Sequence, residues 1–330
     1  MKNILVLHTG GTISMQEDTQ SGAVAPSLDH PLMDFTEAFK NLAYITTKQP
    51  FHLPSPHIRP AEMLTLKNLI EAECKQQSFN GVVITHGTDT LEETAYFLDL
   101  TLNIHIPIVI TGAMRSSNEI GSDGLYNFIS AVRVACCNEA KDKGVLVVLN
   151  DEIHAAKNVT KTHASNVSTF QSPQFGPIGL VTKREILFHY KPLYREKYDI
   201  EQISKRVALL KAYAGMEADV LDAIDDKKYD GVVIEALGQG NLPPCCLPGL
   251  KRLRKANIPI IVVSRCFKGV AQDVYDYQGG GKQLKEMGVI FSNGLNGQKA
   301  RIKLLIALTK TTNQNKLSQI FQDPVCENEN

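Results

Sequence analysis

Seven short runs of apolar, mostly β-branched residues recur along the chain, and helical patterns separate several of them. Many of these runs are continuous rather than alternating, which is typical of strands that are covered on both faces. In the segment LYNFISAVRVACC, between two of the runs, Leu125, Phe128 and Val132 repeat at helical spacing. Strands that alternate with helices predict an α/β fold with a largely parallel sheet. The runs cover residues 4–7, 82–85, 108–111, 145–149, 232–235, 260–264 and 289–291.

The chain of 330 residues is long enough for two domains, and its pattern breaks once. The charged segment KREILFHYKPLYREKYDIEQISKR, residues 183–206, shows little strand or helix periodicity. The alternation of strands and helices restarts at Val207. We therefore expect an N-terminal domain over residues 1–185, a linker over residues 186–206 and a smaller C-terminal domain over residues 207–330.

Polar residues follow the ends of the predicted strands, and parallel α/β sheets bind their ligands at the carboxyl ends of strands. Thr12 follows the first run, Thr88 and Asp89 follow the second, and Lys161 lies in a polar loop after the fourth. An alcohol is a poor nucleophile at its free pKa, so Thr12 would need activation, and Lys161 beside Asp89 is a candidate base. The alternative interpretation is that Thr88 and Asp89 satisfy local backbone groups and that Lys161 is a solvated surface residue.

The segment after Asp89 has the pattern of a helix start. Thr90-Leu91-Glu92-Glu93 matches a capping box, in which the side chains of Thr90 and Glu93 satisfy the first backbone groups of the helix. We therefore expect Thr90 to be structural. His86, which stands next to a glycine, is expected to be a packed or hydrogen-bonded strand-end residue rather than a catalyst.

The composition argues against several classes of function. Lys plus Arg and Asp plus Glu both number 35, and this balance disfavours a protein that binds nucleic acid. The apolar runs are too short to cross a membrane, and we interpret the N-terminus as a strand rather than a signal peptide. Seven cysteines without a C-x-x-C pair fit a reducing compartment, and neither they nor the histidines show metal-ligand spacing. We expect a cytoplasmic protein without a metal.

Two segments, HTGGTISM near the N-terminus and VITHGTDTLEETAYFLDL, resemble the two signature segments of the bacterial-type L-asparaginases, the asparaginase/glutaminase family. Four further blocks resemble that family in its own order: ITGAMRSSNEIGSDGLYN, GVLVVLNDEIHAAKNVTKTHASNVSTF, GQGNLP and FSNGLNGQKARIKLLIALT. The resemblance covers about residues 2–322 and is to the cytoplasmic type of the family. It implies an α/β fold of two flavodoxin-like parallel-sheet domains, the larger one N-terminal and the smaller one C-terminal.

The resemblance also implies an activity, the hydrolysis of the side-chain amide of L-asparagine to L-aspartate and ammonia. The reaction would run through a threonine nucleophile and an acyl-enzyme intermediate, without a cofactor. L-Glutamine or a peptidyl amide is the alternative substrate. Members of this family work as homodimers or homotetramers, with active sites between the N-terminal domain of one subunit and the C-terminal domain of another.

The resemblance assigns catalytic roles to four residues. Thr12 matches the threonine that attacks the amide. Thr88, Asp89 and Lys161 match the second catalytic trio of the family, which polarises a hydroxyl or a water and moves protons. Thr88 and Asp89 also match substrate-binding residues, with Asp89 at the α-ammonium group of the substrate.

Two further matches are expected to bind the substrate, and around them the sequence departs from the family. Ser55, in HLPSPHIRP, matches the serine that holds the α-carboxylate, but prolines flank it on both sides. Asn241 matches the asparagine that bridges towards the active site across the dimer. The expected active-site lid, residues 14–29, lacks the tyrosine that many members use, and Tyr275-Asp276-Tyr277 stands where exported members have a glutamate from the neighbouring subunit.

Functions of two other classes are alternatives. A catalytically silent protein that binds amino acids or regulates through them would keep the fold, although simple binding does not require a nucleophile and a lysine base. A nucleotide-binding protein of the Rossmann type is the second alternative. Gly10-Gly11-Thr12 has neither the G-x-x-x-x-G-K-[ST] pattern nor the G-x-G-x-x-G pattern, so nucleotide binding has little support.

Overall fold

The computed structural model describes residues 1–18, 20–26, 42–192 and 195–322. The chain divides into two compact units, Met1–Asp199 and Ile200–Asn330. Each unit consists of strands and helices, and the α/β fold class expected from the sequence is confirmed. Residues 186–188 were expected to begin the linker, but they form an edge strand of the N-terminal sheet. The charged sequence around this three-residue strand hides it from pattern analysis.

The described residues form sixteen strands and eight α-helices. The strands are β1 (Lys2–His8), β2 (Met15–Glu17), β3 (Val24–Pro26), β4 (Ala43–Lys48), β5 (Gly81–Thr85), β6 (Ile108–Thr111), β7 (Val145–Leu149), β8 (Glu152–Ala155), β9 (Thr160–Lys161), β10 (Phe170–Gln171), β11 (Gly179–Val181), β12 (Ile186–Phe188), β13 (Val207–Lys211), β14 (Gly231–Ala236), β15 (Ile260–Ser264) and β16 (Ile290–Phe291). The helices are α1 (Pro60–Gln76), α2 (Leu91–Thr101), α3 (Gly124–Ala135), α4 (Asp219–Asp226), α5 (Leu247–Lys255), α6 (Gly281–Glu286), α7 (Gly297–Lys310) and α8 (Gln314–Phe321).

The N-terminal unit contains an eight-stranded sheet in the order β12-β11-β8-β7-β6-β5-β1-β4. The five strands from β7 to β4 are parallel, and their order is that of flavodoxin-like folds. The chain moves from β1 to one neighbour, β4, and then returns to the other neighbour, β5. The carboxyl ends of β1 and β5 therefore lie side by side at the point where the strand order reverses, which is where such sheets bind ligands.

Three antiparallel strands, which the sequence pattern does not predict, extend this sheet beyond β7. β7 and β8 form a hairpin that is joined by Asn150 and Asp151, whose φ angles are 49° and 65°. A two-residue turn with positive φ at both positions matches the twist of the strands that it joins. The segment after residue 149, expected to be a polar loop, therefore begins with a tight turn and a strand.

Helix α3 covers one face of the N-terminal sheet. Its residues Phe128 and Val132 pack against Val83, Val109 and Leu146 of three neighbouring strands. The helical spacing that the sequence shows at these two positions is thus confirmed. Nowhere in the described ranges is there a helix long and apolar enough to cross a membrane.

The C-terminal unit contains a four-stranded parallel sheet in the sequential order β13-β14-β15-β16. The connecting helices α4, α5 and α6 pack on one face through Leu221, Leu250 and Leu284. Right-handed crossovers that all move in one direction place their helices on the same face, which leaves the opposite face to be covered by other elements. Helices α7 and α8, which follow β16, pack in a separate core that contains Leu304 and Leu317.

His86 connects the end of β5 to α2. Its ring Nδ1 donates to the Gly87 carbonyl oxygen over 2.8 Å, and Nε2 accepts from the Thr94 hydroxyl over 2.9 Å. The Gly87 carbonyl oxygen can only accept, so the proton lies on Nδ1, and in the neutral ring Nε2 is then the acceptor for Thr94. His86 is buried, and burial lowers its pKa to about 4, although the bond to Gly87 opposes this shift. His86 is thus the hydrogen-bonded strand-end residue that the sequence predicts.

The buried His86 predicts a loss of stability in weak acid. The unfolded chain takes up a proton at this residue near its ordinary pKa of 6.5, whereas the folded chain does not do so until about pH 4. The free energy of unfolding should therefore fall by roughly 3 kcal/mol through this window, and the effect should vanish above it. Urea unfolding at a series of pH values measures this. The stability advantage of the wild type over His86→Gln should shrink as the pH falls.

A matched control is His105→Gln, which replaces a histidine at the exposed surface. If this substitution changes the pH dependence of unfolding as much as His86→Gln does, the acid sensitivity does not arise from the buried ring.

Candidate active site

Three loops meet at the carboxyl ends of β1 and β5: residues 9–12, 53–55 and 86–90. A Cβ atom on Gly11 would lie 2.1 Å from the Cα atom of Gly87, so the two backbones are in direct contact. Gly11 has φ 85° and ψ −179°, a conformation that is essentially restricted to glycine. A Cβ atom on Gly10 would lie 2.4 Å from the carbonyl oxygen of Leu53. Glycines therefore let the three loops approach more closely than side chains would allow.

Lys161 joins two side chains of the loop after β5. Its Nζ donates to Thr88 Oγ1 over 2.9 Å and to Asp89 Oδ1 over 2.7 Å. Thr88 is buried, the Lys161 side chain is 15% exposed, and the Asp89 side chain is 60% exposed. Lys161 is therefore not a solvated surface residue. It is an ammonium group held between a hydroxyl and a carboxylate that remains open to solvent.

Ser55 is buried at the start of a short 3-10 helix, Ser55–His57. Its Oγ accepts a hydrogen bond from the backbone N–H of Asp89 over 3.1 Å.

The Thr90 hydroxyl donates to the Ser55 carbonyl oxygen over 2.7 Å. Thr90 does precede α2, but its side chain makes no capping hydrogen bond, so the predicted capping box is wrong. The hydroxyl instead pairs with a carbonyl of the neighbouring loop, and it fastens that loop to the site.

Glu92, in the first turn of α2, belongs to the site although its sequence pattern does not predict it. Its side chain is buried, and Oε1 accepts hydrogen bonds from the Thr160 hydroxyl over 2.9 Å and from the Lys161 backbone N–H over 3.2 Å. The sequence shows only an acidic residue at the start of a helix, where a carboxylate is favoured by the helix dipole. That signal does not reveal a contact with a strand that lies 68 residues further along the chain.

Part of the expected lid is a short hairpin. Strands β2 and β3 pair antiparallel, and β2 is fastened to the loop after β6. The Ser117 hydroxyl donates to the carbonyl oxygen of the first β2 residue over 3.0 Å, and the Asn118 side chain bonds the backbone of the last one over 2.8 Å. Ala23 and Val24, which stand about where other family members have the lid tyrosine, are exposed. The end of the expected lid, residues 27–29, lies outside the described residues.

Asn241 lies in the C-terminal unit, whereas the other five predicted site residues lie in the N-terminal unit. Its Oδ1 accepts a hydrogen bond from the Gly281 N–H over 3.1 Å. The nearby Gly279 N–H donates to Gln283 Oε1 over 2.8 Å. Within its own unit, Asn241 therefore holds the glycine turn that begins α6. The role expected for it across a dimer stays a prediction.

The N-terminal loops present groups that suit acyl transfer. Thr12, at the start of the 3-10 turn Thr12–Ser14, is partly buried, and its loop touches the loop that carries Thr88. The site thus offers two alcohols, an ammonium and an exposed carboxylate. In the ranges that the structure describes, no group of three or more His, Cys, Asp and Glu side chains could hold a metal ion.

The chain matches two families of domains over nearly its whole length. Residues 3–194 match the family described as "Asparaginase, N-terminal". Residues 206–321 match the "Glutaminase/Asparaginase C-terminal domain". The short segment between the two matches coincides with the passage from the N-terminal to the C-terminal unit.

Two relatives and one solved structure resemble the chain along its length. The "Probable L-asparaginase" of Deinococcus radiodurans is 36% identical over 330 residues, which cover 98% of each protein. The "Glutaminase-asparaginase" of Pseudomonas aeruginosa is 31% identical, over 97% of this chain and 90% of that protein. The crystal structure of a probable cytoplasmic L-asparaginase from Campylobacter jejuni matches with a TM-score of 0.87 at 34% identity, over 97% of this chain and 99% of that one.

The contact between Gly11 and Gly87 predicts a severe effect of Gly11→Ala. The added Cβ would require backbone movement and would occupy a disfavoured conformation, so we expect the free energy of unfolding to fall by about 3 kcal/mol or more. Gly176→Ala is the matched control, because Gly176 also has a positive φ, of 73°, but nothing lies within 4 Å of the added atom. Strain alone should cost about 1 kcal/mol there. Urea unfolding compares them, and equal losses would contradict the close backbone contact.

Proposed function

The chain belongs to the asparaginase family and is an amidohydrolase, and from this premise we propose that it hydrolyses L-asparagine to L-aspartate and ammonia through a threonine nucleophile. One observation carries the proposal of mechanism: Lys161 Nζ lies within hydrogen-bond distance of both Thr88 and Asp89. The loop that bears Thr12 is in contact with the same site. Nucleophile, proton carrier and orienting carboxylate are the parts that such a reaction needs.

In the first half of the proposed reaction, Thr12 Oγ1 adds to the side-chain carbonyl carbon of asparagine. The proton of Thr12 passes to the amide nitrogen, the C–N bond breaks, and ammonia leaves an aspartyl ester on Thr12. Backbone N–H groups of the loops at the strand ends would stabilise the oxyanion, and one such donor is worth about 3 kcal/mol in other enzymes.

In the second half, a water molecule attacks the ester carbonyl. The Lys161 ammonium gives a proton through the Thr88 hydroxyl to Thr12 as the ester bond breaks and L-aspartate leaves, and the proton that the water loses passes back through the same hydroxyl to Lys161. The short hydrogen bond from Lys161 to Asp89 supports this role, because it keeps the lysine at one end of the proton path.

The same loops account for recognition of the substrate's charged groups. The Asp89 side chain is largely exposed, so it can meet an α-ammonium group while one of its oxygens holds Lys161. Ser55 Oγ accepts the Asp89 N–H, which leaves its own hydroxyl proton to donate to an α-carboxylate. A site that binds both an α-ammonium and an α-carboxylate favours a free amino acid over an amide that lacks these charged groups.

L-Glutamine is the alternative substrate. The Pseudomonas aeruginosa relative is named for both activities, and the two amides differ by one methylene group. A methylene in a binding pocket usually changes specificity by about 1–3 kcal/mol. Rates of ammonia release from the two amides at matched concentrations decide between them.

We include assembly and location in the same proposal. The chain forms a homodimer or homotetramer, as the resemblance to the family implies, and it acts in the cytoplasm, which the name of the Campylobacter jejuni relative supports. Sedimentation that shows an active monomer would contradict the first point, and cell fractionation that finds the activity outside the cytoplasm would contradict the second.

The proposed chemistry predicts that the hydroxyls of Thr12 and Thr88 are each essential. Thr12→Val and Thr88→Val keep the size of the side chain and remove the oxygen, so kcat for asparagine should fall by roughly 10⁴-fold or more in each variant. Ammonia release by the purified variants measures this. Thr65→Val is the matched control, because the Thr65 hydroxyl only donates to Ala61 within α1.

Two results would count against the proposal in different ways. Turnover that survives both threonine substitutions would show that another group attacks. If neither amide is hydrolysed by the wild type but asparagine raises the melting temperature, the protein binds amino acids without catalysing their hydrolysis.

A further inference from the structure

Lys161 lies on a very short strand outside the main sheet. Strand β9 contains two residues, and among the described strands it pairs with β10 alone, through Lys161 with Phe170 and Thr160 with Gln171. The eight-stranded sheet, which fixes the loops that carry Thr12 and Thr88, does not include this pair of strands. Another contact must set the position of Lys161 relative to Thr88 and Asp89.

Glu92 makes that contact. The residue is 4% exposed, and its Oε1 accepts from the Thr160 hydroxyl and from the Lys161 backbone N–H. Both residues of β9 are therefore bound to one oxygen. Glu92 stands three residues after Asp89, at the start of the helix that the Thr88 loop leads into.

The hydrogen bonds around Lys161 form a closed ring. The Lys161 backbone N–H is hydrogen-bonded to Glu92, and the Lys161 ammonium is hydrogen-bonded to Thr88 and Asp89. The chain segment from Thr88 to Glu92 connects these two sets of bonds and closes the ring. A long lysine side chain has many rotamers, and fixing its backbone limits where the ammonium can reach. A charged acceptor forms stronger hydrogen bonds than a neutral one, and helix N-termini favour a carboxylate at this position.

We propose that Glu92 is the positioning residue for Lys161, holding β9 so that the lysine ammonium meets Thr88 and Asp89 in reactive geometry. The proposal rests on the amidohydrolase reaction described above, in which Lys161 carries protons. Glu92 itself acts on the lysine backbone and not on the substrate.

The test compares three variants with the wild type in steady-state hydrolysis of L-asparagine. Glu92→Ala removes both hydrogen bonds. Glu92→Gln keeps a carbonyl oxygen that can accept them. Glu62→Ala is the matched control, since it removes a first-turn carboxylate from α1 that pairs with Arg59 and not with β9. All assays run below the melting temperature of the least stable variant.

A positioning role predicts a separation of kcat from KM. Glu92→Ala should lower kcat by about 100-fold, because small displacements of a catalytic group have effects of that size. KM should change by less than about threefold, since the substrate-binding groups stay in place. Glu92→Gln should restore most of kcat, and Glu62→Ala should behave as the wild type. A wild-type kcat in Glu92→Ala, or a kcat in Glu92→Gln as low as in Glu92→Ala, would overturn the proposal.

A second variant covers the case in which Glu92→Ala does not fold. Thr160→Val removes one of the two hydrogen bonds and leaves the carboxylate in place. It should give a kcat between those of the wild type and Glu92→Ala, with an unchanged KM. A wild-type kcat in Thr160→Val, together with failure of Glu92→Ala to fold, would leave Glu92 as a stability residue and overturn the proposal.

A readout that does not depend on activity separates this inference from the proposed function. Limiting acetic anhydride acetylates the unprotonated amine of accessible lysines, and mass spectrometry at one fixed pH can compare Lys161 with the exposed Lys268 in the same protein. Lys161 should react several-fold faster in Glu92→Ala than in the wild type. If the wild type hydrolyses neither amide but this difference is seen, the proposed function fails and the positioning stands. Equal reaction rates would overturn the positioning whatever the activity.

Discussion

The close approach of two glycine backbones, Gly11 and Gly87, is the constraint on which the rest of the site depends. Neighbouring strands lie about 4.8 Å apart, so loops that leave them can touch only where side chains do not intervene. A Cβ on Gly87 would also lie 2.8 Å from the side chain of Ser55, so the same glycine admits the third loop. The order of the strands determines which loops meet, and the glycines determine how closely they meet.

The strand order brings only some of the site residues together, and hydrogen bonds between distant segments place Lys161 beside them. Lys161 comes from a hairpin outside the large sheet, and 73 residues separate it from Thr88. The spacing of the strands in the large sheet therefore does not determine the position of Lys161 relative to Thr88. Its ammonium is instead held by Thr88 and Asp89 in the loop before α2, and its backbone N–H is held by Glu92 in the first turn of that helix. A local feature, the first turn of α2, thereby organises a contact that the sheet does not supply.

The sequence predicts the buried parallel strands because strands covered on both faces are continuously apolar, but it misses the parallel edge strand β4, which is only partly buried. The antiparallel strands β8, β11 and β12 escape prediction because they have three or four residues and mixed burial. Thr88, Asp89 and Lys161 can be found from strand ends and from the resemblance to a family. Thr90 and Glu92 cannot, since their hydrogen-bond partners come from loops that only the folded chain brings near α2.

Two carboxylates flank Lys161, and their exposure separates their functions. The Asp89 side chain is 60% exposed and holds the ammonium, whereas Glu92 is 4% exposed and holds the backbone. A carboxylate that is to meet the ammonium group of a substrate must stay open to solvent, where water weakens its hold on any one partner. A carboxylate that is to fix a strand must exclude water, because competition with water would loosen its hydrogen bonds. One residue cannot meet both requirements, so the site needs an exposed acid and a buried acid on either side of the same lysine.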